Sequence, residues 1–78
     1  MPLTGPITAQ RVAAEADELV VVLADGEFRI PWAECSPRLA AASPEERACA
    51  ELSPGGYGIH WPLLDEDLSI NGLVRRKE

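Results

Sequence analysis

The sequence is poor in the residues that most enzyme chemistry requires. It has one histidine, His60, two cysteines, Cys35 and Cys49, and no apolar run longer than Leu19 to Ala24. A bilayer span takes about twenty apolar residues, so no membrane-crossing helix is expected. One histidine and two distant cysteines cannot be assembled into a zinc-ligand spacing. Cations are scarce too, with seven basic residues against thirteen acidic ones and a net charge of -6. Binding to a phosphate backbone needs a basic stripe, so direct nucleic-acid contact is disfavoured. The sole basic cluster, Arg75-Arg76-Lys77, lies at the C-terminal end, and residues 75–78 read as a solvated basic tail. The start, Met1 to Pro6, shows neither a basic n-region nor an apolar h-region, so a cytoplasmic location is expected. There the cysteines should be reduced, small core-filling thiols.

What is present describes one small domain. A chain of 78 residues buries only roughly 60% of its unfolded surface, so the core is small and the stability marginal. Residues 1–6, with two prolines and a glycine, read as a flexible lead-in, and residues 7–74 form the domain. Ile7 to Ala14 reads as a first strand and Glu15-Ala16-Asp17 as a turn.

The most legible stretch is a hairpin running from Leu19 to Trp32. Asp25-Gly26 suits a two-residue type I′ turn, because both central residues need positive φ. That turn predicts Leu23 opposite Phe28, Val21 opposite Ile30 and Leu19 opposite Trp32, all on one apolar face. Val20, Val22, Glu27 and Arg29 fall on the other face, and Pro31 points outward near an edge.

Ser36-Pro37 and Ser43-Pro44 each offer a capping serine followed by proline at the first helical position. Glu46 completes a capping box with Ser43. Helical segments are expected over 37–42 and 44–50. Leu39, Ala40, Ala48 and Cys49 should cover the sheet, while Arg38, Glu45, Glu46 and Arg47 face water. Ser53-Pro54-Gly55-Gly56 is a turn cluster rather than a phosphate loop, since it leads into a strand and not into a helix.

The stretch from Tyr57 to Ile70 organises the rest. Tyr57, Ile59 and Trp61 alternate with Gly58 and His60, the period of a half-buried strand. Pro62 ends it, Asp65-Glu66-Asp67 turns the chain, and Leu68-Ser69-Ile70 resumes the alternation. A final turn, capped by Ser69, places Leu73 and Val74 on the core. The two tryptophans read as core walls. The fold class is therefore α+β: a small curved antiparallel sheet, a meander containing the Asp-Gly hairpin, with two short helices packed on it.

Asp65, Asp67, Ser69 and Asn71 imitate the opening of a calcium loop. Ile70 stands where that loop needs glycine, however, and Arg76 where it needs its bidentate glutamate. No metal site and no cofactor are expected. His60 alone reads as a structural or surface residue, because no serine or cysteine sits in a nucleophile motif.

Several segments together resemble domain-of-unknown-function family 2442 (DUF2442). They are the apolar run before Asp25-Gly26, Pro37-Arg38-Leu39, Ala42-x-Pro44-Glu45-Glu46-Arg47, and Gly58 through Leu73 with its His60-Trp61-Pro62 and Asp65-Glu66-Asp67. The resemblance implies a small α+β domain with a curved antiparallel sheet. It implies no established activity and hence no catalytic residues. It also implies bacterial proteins often encoded beside a second small protein, an arrangement reminiscent of toxin–antitoxin pairs. Some longer members continue into a helix-turn-helix; this sequence stops at Glu78, so direct transcriptional regulation by this chain alone is not expected.

The function expected is thus a non-enzymatic protein-interaction module, the antitoxin-like or regulatory member of a bacterial pair. Its acidic balance suits a basic protein partner. The candidate contact is His60, Trp61, Asp65, Glu66 and Asp67. The alternatives are an enzyme using His60 with Asp65 and Asp67, assisted by a metal or acting on a small ligand, and a homo-oligomerising structural domain.

Overall fold

The computed structural model describes residues 7–77, with side chains through Arg75. It is an α+β fold of two three-stranded antiparallel sheets and four short helices. The first sheet, in the order β1-β2-β3, contains β1 (Ala9–Ala14), β2 (Glu18–Leu23) and β3 (Gly26–Pro31). Helices α1 (Trp32–Cys35), α2 (Pro37–Ala40) and α3 (Pro44–Ala48) follow. The second sheet contains β4 (Glu51–Leu52), β5 (Gly58–Trp61) and β6 (Glu66–Ser69), in that order, and α4 (Ile70–Lys77) completes the chain. The strands therefore divide between two sheets instead of forming one meander, because the three helices between β3 and β4 interrupt the pairing.

The hairpin forms, but in a register two residues away from the expected one. Leu23 pairs with Gly26, Val21 with Phe28 and Leu19 with Ile30. Ala24 and Asp25 make the turn, and the positive φ falls on Gly26 at 150° rather than on Asp25. A shift of two preserves every side chain's face. Leu19, Val21 and Ile30 thus remain fully buried on the expected side. The shift releases Trp32 from strand pairing, and it opens α1, which the sequence did not announce.

Both capping serines act as expected. Ser36 Oγ accepts from the Leu39 amide at 3.1 Å, and Ser43 and Glu46 exchange the two bonds of a capping box at 3.1 and 2.9 Å. The helices are shorter than expected, and only Leu39 among the four proposed covering residues is buried. Ala40, Ala48 and Cys49 are exposed, since helices of four or five residues present a single turn to the core. Cys35 fills the core and Cys49 does not.

One cluster joins all the layers: Leu19, Val21 and Ile30 from the first sheet, Ile59 and Trp61 from the second, with Trp32, Cys35, Leu39, Ile70 and Leu73 from the helices. Trp32 and Trp61 meet edge to face, with centroids 6.4 Å apart and planes at 80°. The tryptophans are core walls, as expected. Arg47, expected in water, instead spans the molecule. Its side chain donates to the carbonyls of Leu39, Ala40 and Ala16 at 2.9, 2.9 and 3.3 Å. Two of these carbonyls lie at the end of α2, where the helix no longer supplies its usual donors.

At the C-terminal end, Ser69 Oγ accepts from the Gly72 amide at 2.9 Å, and Ile70 and Leu73 are buried. The capped turn is therefore real but longer than expected. Helix α4 runs through Lys77, so residues 75–77 continue it. The lead-in 1–6 and Glu78 lie outside the described residues.

Candidate functional site

The second sheet carries the site. Ser53-Pro54-Gly55-Gly56 forms a tight turn that delivers the chain into β5. Gly56 packs against β1 so closely that a Cβ would stand 2.1 Å from the Ala9 carbonyl oxygen, so this turn requires glycine. Ser53 then holds Gly58 twice: its amide donates to the Gly58 carbonyl at 2.8 Å, and its hydroxyl accepts from the Gly58 amide at 2.9 Å.

Along β5, Ile59 and Trp61 point into the core while His60 points out, as the alternation requires. Tyr57 departs from the expected pattern. It lies before the strand and is 52% exposed. The acidic triplet departs as well. Residues 62–65 make the turn, Asp65 takes a left-handed φ of 52°, and Glu66 and Asp67 belong to β6. Aspartate tolerates that conformation better than most residues.

With four residues in the turn, Trp61 pairs with Glu66 and His60 with Asp67. On the other side of β5, Glu51 pairs with His60. Directly paired residues share a face, so Glu51, His60 and Asp67 form one row across the outer surface of the sheet, an imidazole flanked by two carboxylates. His60 Nδ1 lies 2.8 Å from Asp67 Oδ1. An ionised carboxylate only accepts, so Nδ1 donates in this bond. Among the described residues, the imidazole of His60 is hydrogen-bonded to Asp67. The hydroxyls of Ser53 and Ser69 accept from the Gly58 and Gly72 amides.

An open groove of about 350 Å³ runs beside this row, over Gly58, with Tyr57, His60, Asp67, Leu68 and Ser69 around it. Its wall is mainly apolar, with the carboxylate of Asp67 at the rim. Of the expected contact residues, the structure brings His60 and Asp67 together and places Asp65 and Glu66 at and just after the adjoining turn. Trp61 must be removed from the surface set. It is fully buried, and its indole N–H donates to the Arg47 carbonyl at 3.0 Å. Alternation alone signalled this, since Trp61 and His60 are neighbours on a strand and cannot share a face.

Two residues of the face were not anticipated. Glu51 lies on a two-residue strand too short to read from sequence, and Tyr57 was assigned to the buried side. Among the described residues, no group of three or more His, Cys, Asp or Glu side chains is placed to hold a metal ion. No described helix is long and apolar enough to cross a membrane.

Comparison with known proteins adds the following. The family model described as "Protein of unknown function (DUF2442)" matches residues 9–78. A crystal structure of a protein of unknown function from Rhodospirillum rubrum superposes with a TM-score of 0.79 at 30% identity, covering 91% of this chain and 88% of that one. The solution structure of an uncharacterised protein from Chromobacterium violaceum superposes with a TM-score of 0.73 at 27% identity, covering 90% of this chain and 66% of that one. No curated protein matches the chain.

Proposed function

Because the chain belongs to the DUF2442 family, described only as proteins of unknown function, we propose that it is a non-enzymatic protein-interaction module whose partner is a basic protein. The observation that carries this reading is the outer face of the second sheet. Asp67, with 74% of its side chain exposed, is held in place by His60 at the rim of an apolar groove beside the exposed ring of Tyr57.

Such a surface suits an arginine or lysine from a partner. The aliphatic stem of that residue would lie on Tyr57, and its charged head would meet Asp67. The net charge of -6 would steer the encounter. The antitoxin-like or regulatory role that the family resemblance implied is the biological form of this reading.

The test is to isolate the protein that co-purifies from the native host and titrate it into the isotope-labelled chain. Amide shifts should concentrate at Glu51, Tyr57, Gly58, His60 and Asp67. Shifts confined to the helices, or a bound protein that leaves this sheet unperturbed, would refute the assignment.

One observation favours a second reading, an acid–base enzyme. The hydrogen bond to Asp67 orients His60 at the edge of a groove that both residues line. Screening small esters and amides for turnover abolished by His60→Gln tests it.

A further inference from the structure

The two sheets expose unequal edges. On the first sheet, β1 is covered, because the turn at Gly56 lies against Ala9. On the second sheet, β4 has only two residues, and β6 carries Glu66 and Asp67, which would face like charges in a self-pairing. Strand β3 differs. It has six residues, it lies at the end of its sheet, and no strand pairs with its far side among the described residues.

The ladder fixes which backbone groups point outward along β3. The Trp32 amide donates to the Asp17 carbonyl at 3.4 Å, continuing the β2–β3 register. Bonded and non-bonded pairs alternate in an antiparallel ladder, so Ile30, Phe28 and Gly26 bond to β2. Glu27, Arg29 and Pro31 therefore aim their backbone groups away from β2.

One side chain on this edge is also unfinished. Phe28 lies on the core side but is only half-buried, whereas Ile30 beside it is fully buried. On the outer side Arg29 lies 2.8, 3.4 and 3.3 Å from the carboxylates of Glu18, Glu15 and Glu27. Its guanidinium is held above its ordinary range by the Glu18 hydrogen bond, against a smaller opposing effect of desolvation.

We infer that β3 pairs with β3 of a second copy of this chain, antiparallel, about a two-fold axis at Phe28, joining two sheets into one of six strands. Four centres would use these outward groups, and three are unfavourable. A centre at Glu27 sets glutamate against glutamate, and one at Arg29 sets arginine against arginine. A centre at Ile30 puts Pro31, which has no N–H, into the bonded pairs. The centre at Phe28 sets Glu27 against the partner copy's Arg29 on one face, and reciprocally. Both of these pairs are bonded ones, each exchanging two backbone hydrogen bonds. The two Phe28 rings meet on the core side and complete each other's burial. An interface of one strand and one aromatic pair is smaller than the roughly 1,000 Å² of specific stable complexes, so the dimer is weak and transient.

Sedimentation equilibrium on the full chain, at ~0.15 M salt where the screening length is ~8 Å, tests the inference. The wild type should show a reversible monomer–dimer equilibrium. Glu27→Arg and Arg29→Glu should each weaken it by about tenfold, because each replaces two symmetric attractive pairs by repulsive ones. Mixed in equal amounts, the two variants should associate with each other at least as tightly as wild type does with itself, since both cross-strand pairs are then opposite in charge. Circular dichroism establishes that each variant is folded, and Glu27→Gln, expected to weaken the dimer less than Glu27→Arg, serves if Arg29→Glu is not. A wild-type chain that stays monomeric at millimolar concentration overturns the inference. So does a mixture no more associated than its separate components, or a dimer unmoved by changes at residues 27 and 29.

Discussion

Arg47 lies over the ring of Trp32, with the guanidinium carbon 5.1 Å from the ring centroid. The Trp32 indole N–H donates to the Glu15 carbonyl at 2.8 Å, and Arg47 reaches the neighbouring carbonyl of Ala16. Through its own carbonyl Arg47 also accepts from Trp61. One residue thus fixes Trp32, the β1–β2 turn and the end of α2 with its side chain, and Trp61 with its backbone. This arrangement holds the second sheet, and with it the His60–Asp67 face, against the first.

Removing the ring should be close to fatal. Trp32→Ala empties the junction of both sheets and should destabilise by about 3–5 kcal/mol. A domain of this size has ~5 kcal/mol or little more in total. Urea titration of the purified variant should show it largely unfolded without denaturant; a wild-type midpoint would contradict the packing described above.

Replacing Arg47 by lysine separates geometry from charge. An ammonium is a point donor and cannot reach three carbonyls while covering a ring. We expect Arg47→Lys to cost about 1–2 kcal/mol, with Arg47→Ala costing more, from the loss of charged hydrogen bonds at a partly exposed site. Thermal melts of the two variants beside wild type check the order.

Ser43→Ala removes the hydroxyl that accepts from the Glu46 amide, leaves the Ser43 amide bonded to the Glu46 carboxylate, and should cost about 1 kcal/mol. Ser36→Ala likewise removes one side-chain acceptor, that of the Leu39 amide, and should cost a similar amount. Chemical denaturation of the pair checks both.

How far these features could be read from sequence depends on the range over which each is determined. The two serine caps were legible because a cap is decided within four residues. The sorting of Leu19, Val21, Phe28 and Ile30 to one face was legible because parity survives a shift of two, but for the same reason the pattern could not tell the two registers apart. Arg47 left no signal: its acceptors are backbone carbonyls, which every residue carries, and one of them lies 31 positions away. The pairing of His60 with Asp67 was within reach. A four-residue turn after Trp61, begun by Pro62, sets those two residues opposite each other; treating the whole acidic triplet as the turn concealed it.

Calcium, magnesium or zinc at millimolar concentration should leave the melting temperature where the same ionic strength of sodium chloride leaves it. A ligand that binds only the folded state raises stability by linkage, so a metal-specific rise abolished by Asp67→Asn would move the assignment toward the enzyme reading.

The most direct test of the proposed interaction is the association rate of the co-purified partner, measured by surface plasmon resonance across ionic strength. The screening length falls from ~10 Å at 0.1 M to ~3 Å at 1 M, so an electrostatically steered rate should drop steeply over that range. Neutralising the face and its adjoining turn by Glu51→Gln, Asp65→Asn and Asp67→Asn together should slow association at low salt and flatten the salt dependence. The melting temperature should stay near that of wild type, because exposed ion pairs contribute only about 0–1 kcal/mol each. A salt-independent rate for the wild type, or a neutralised variant that associates as fast, would contradict the proposal that this acidic sheet face recognises a basic protein.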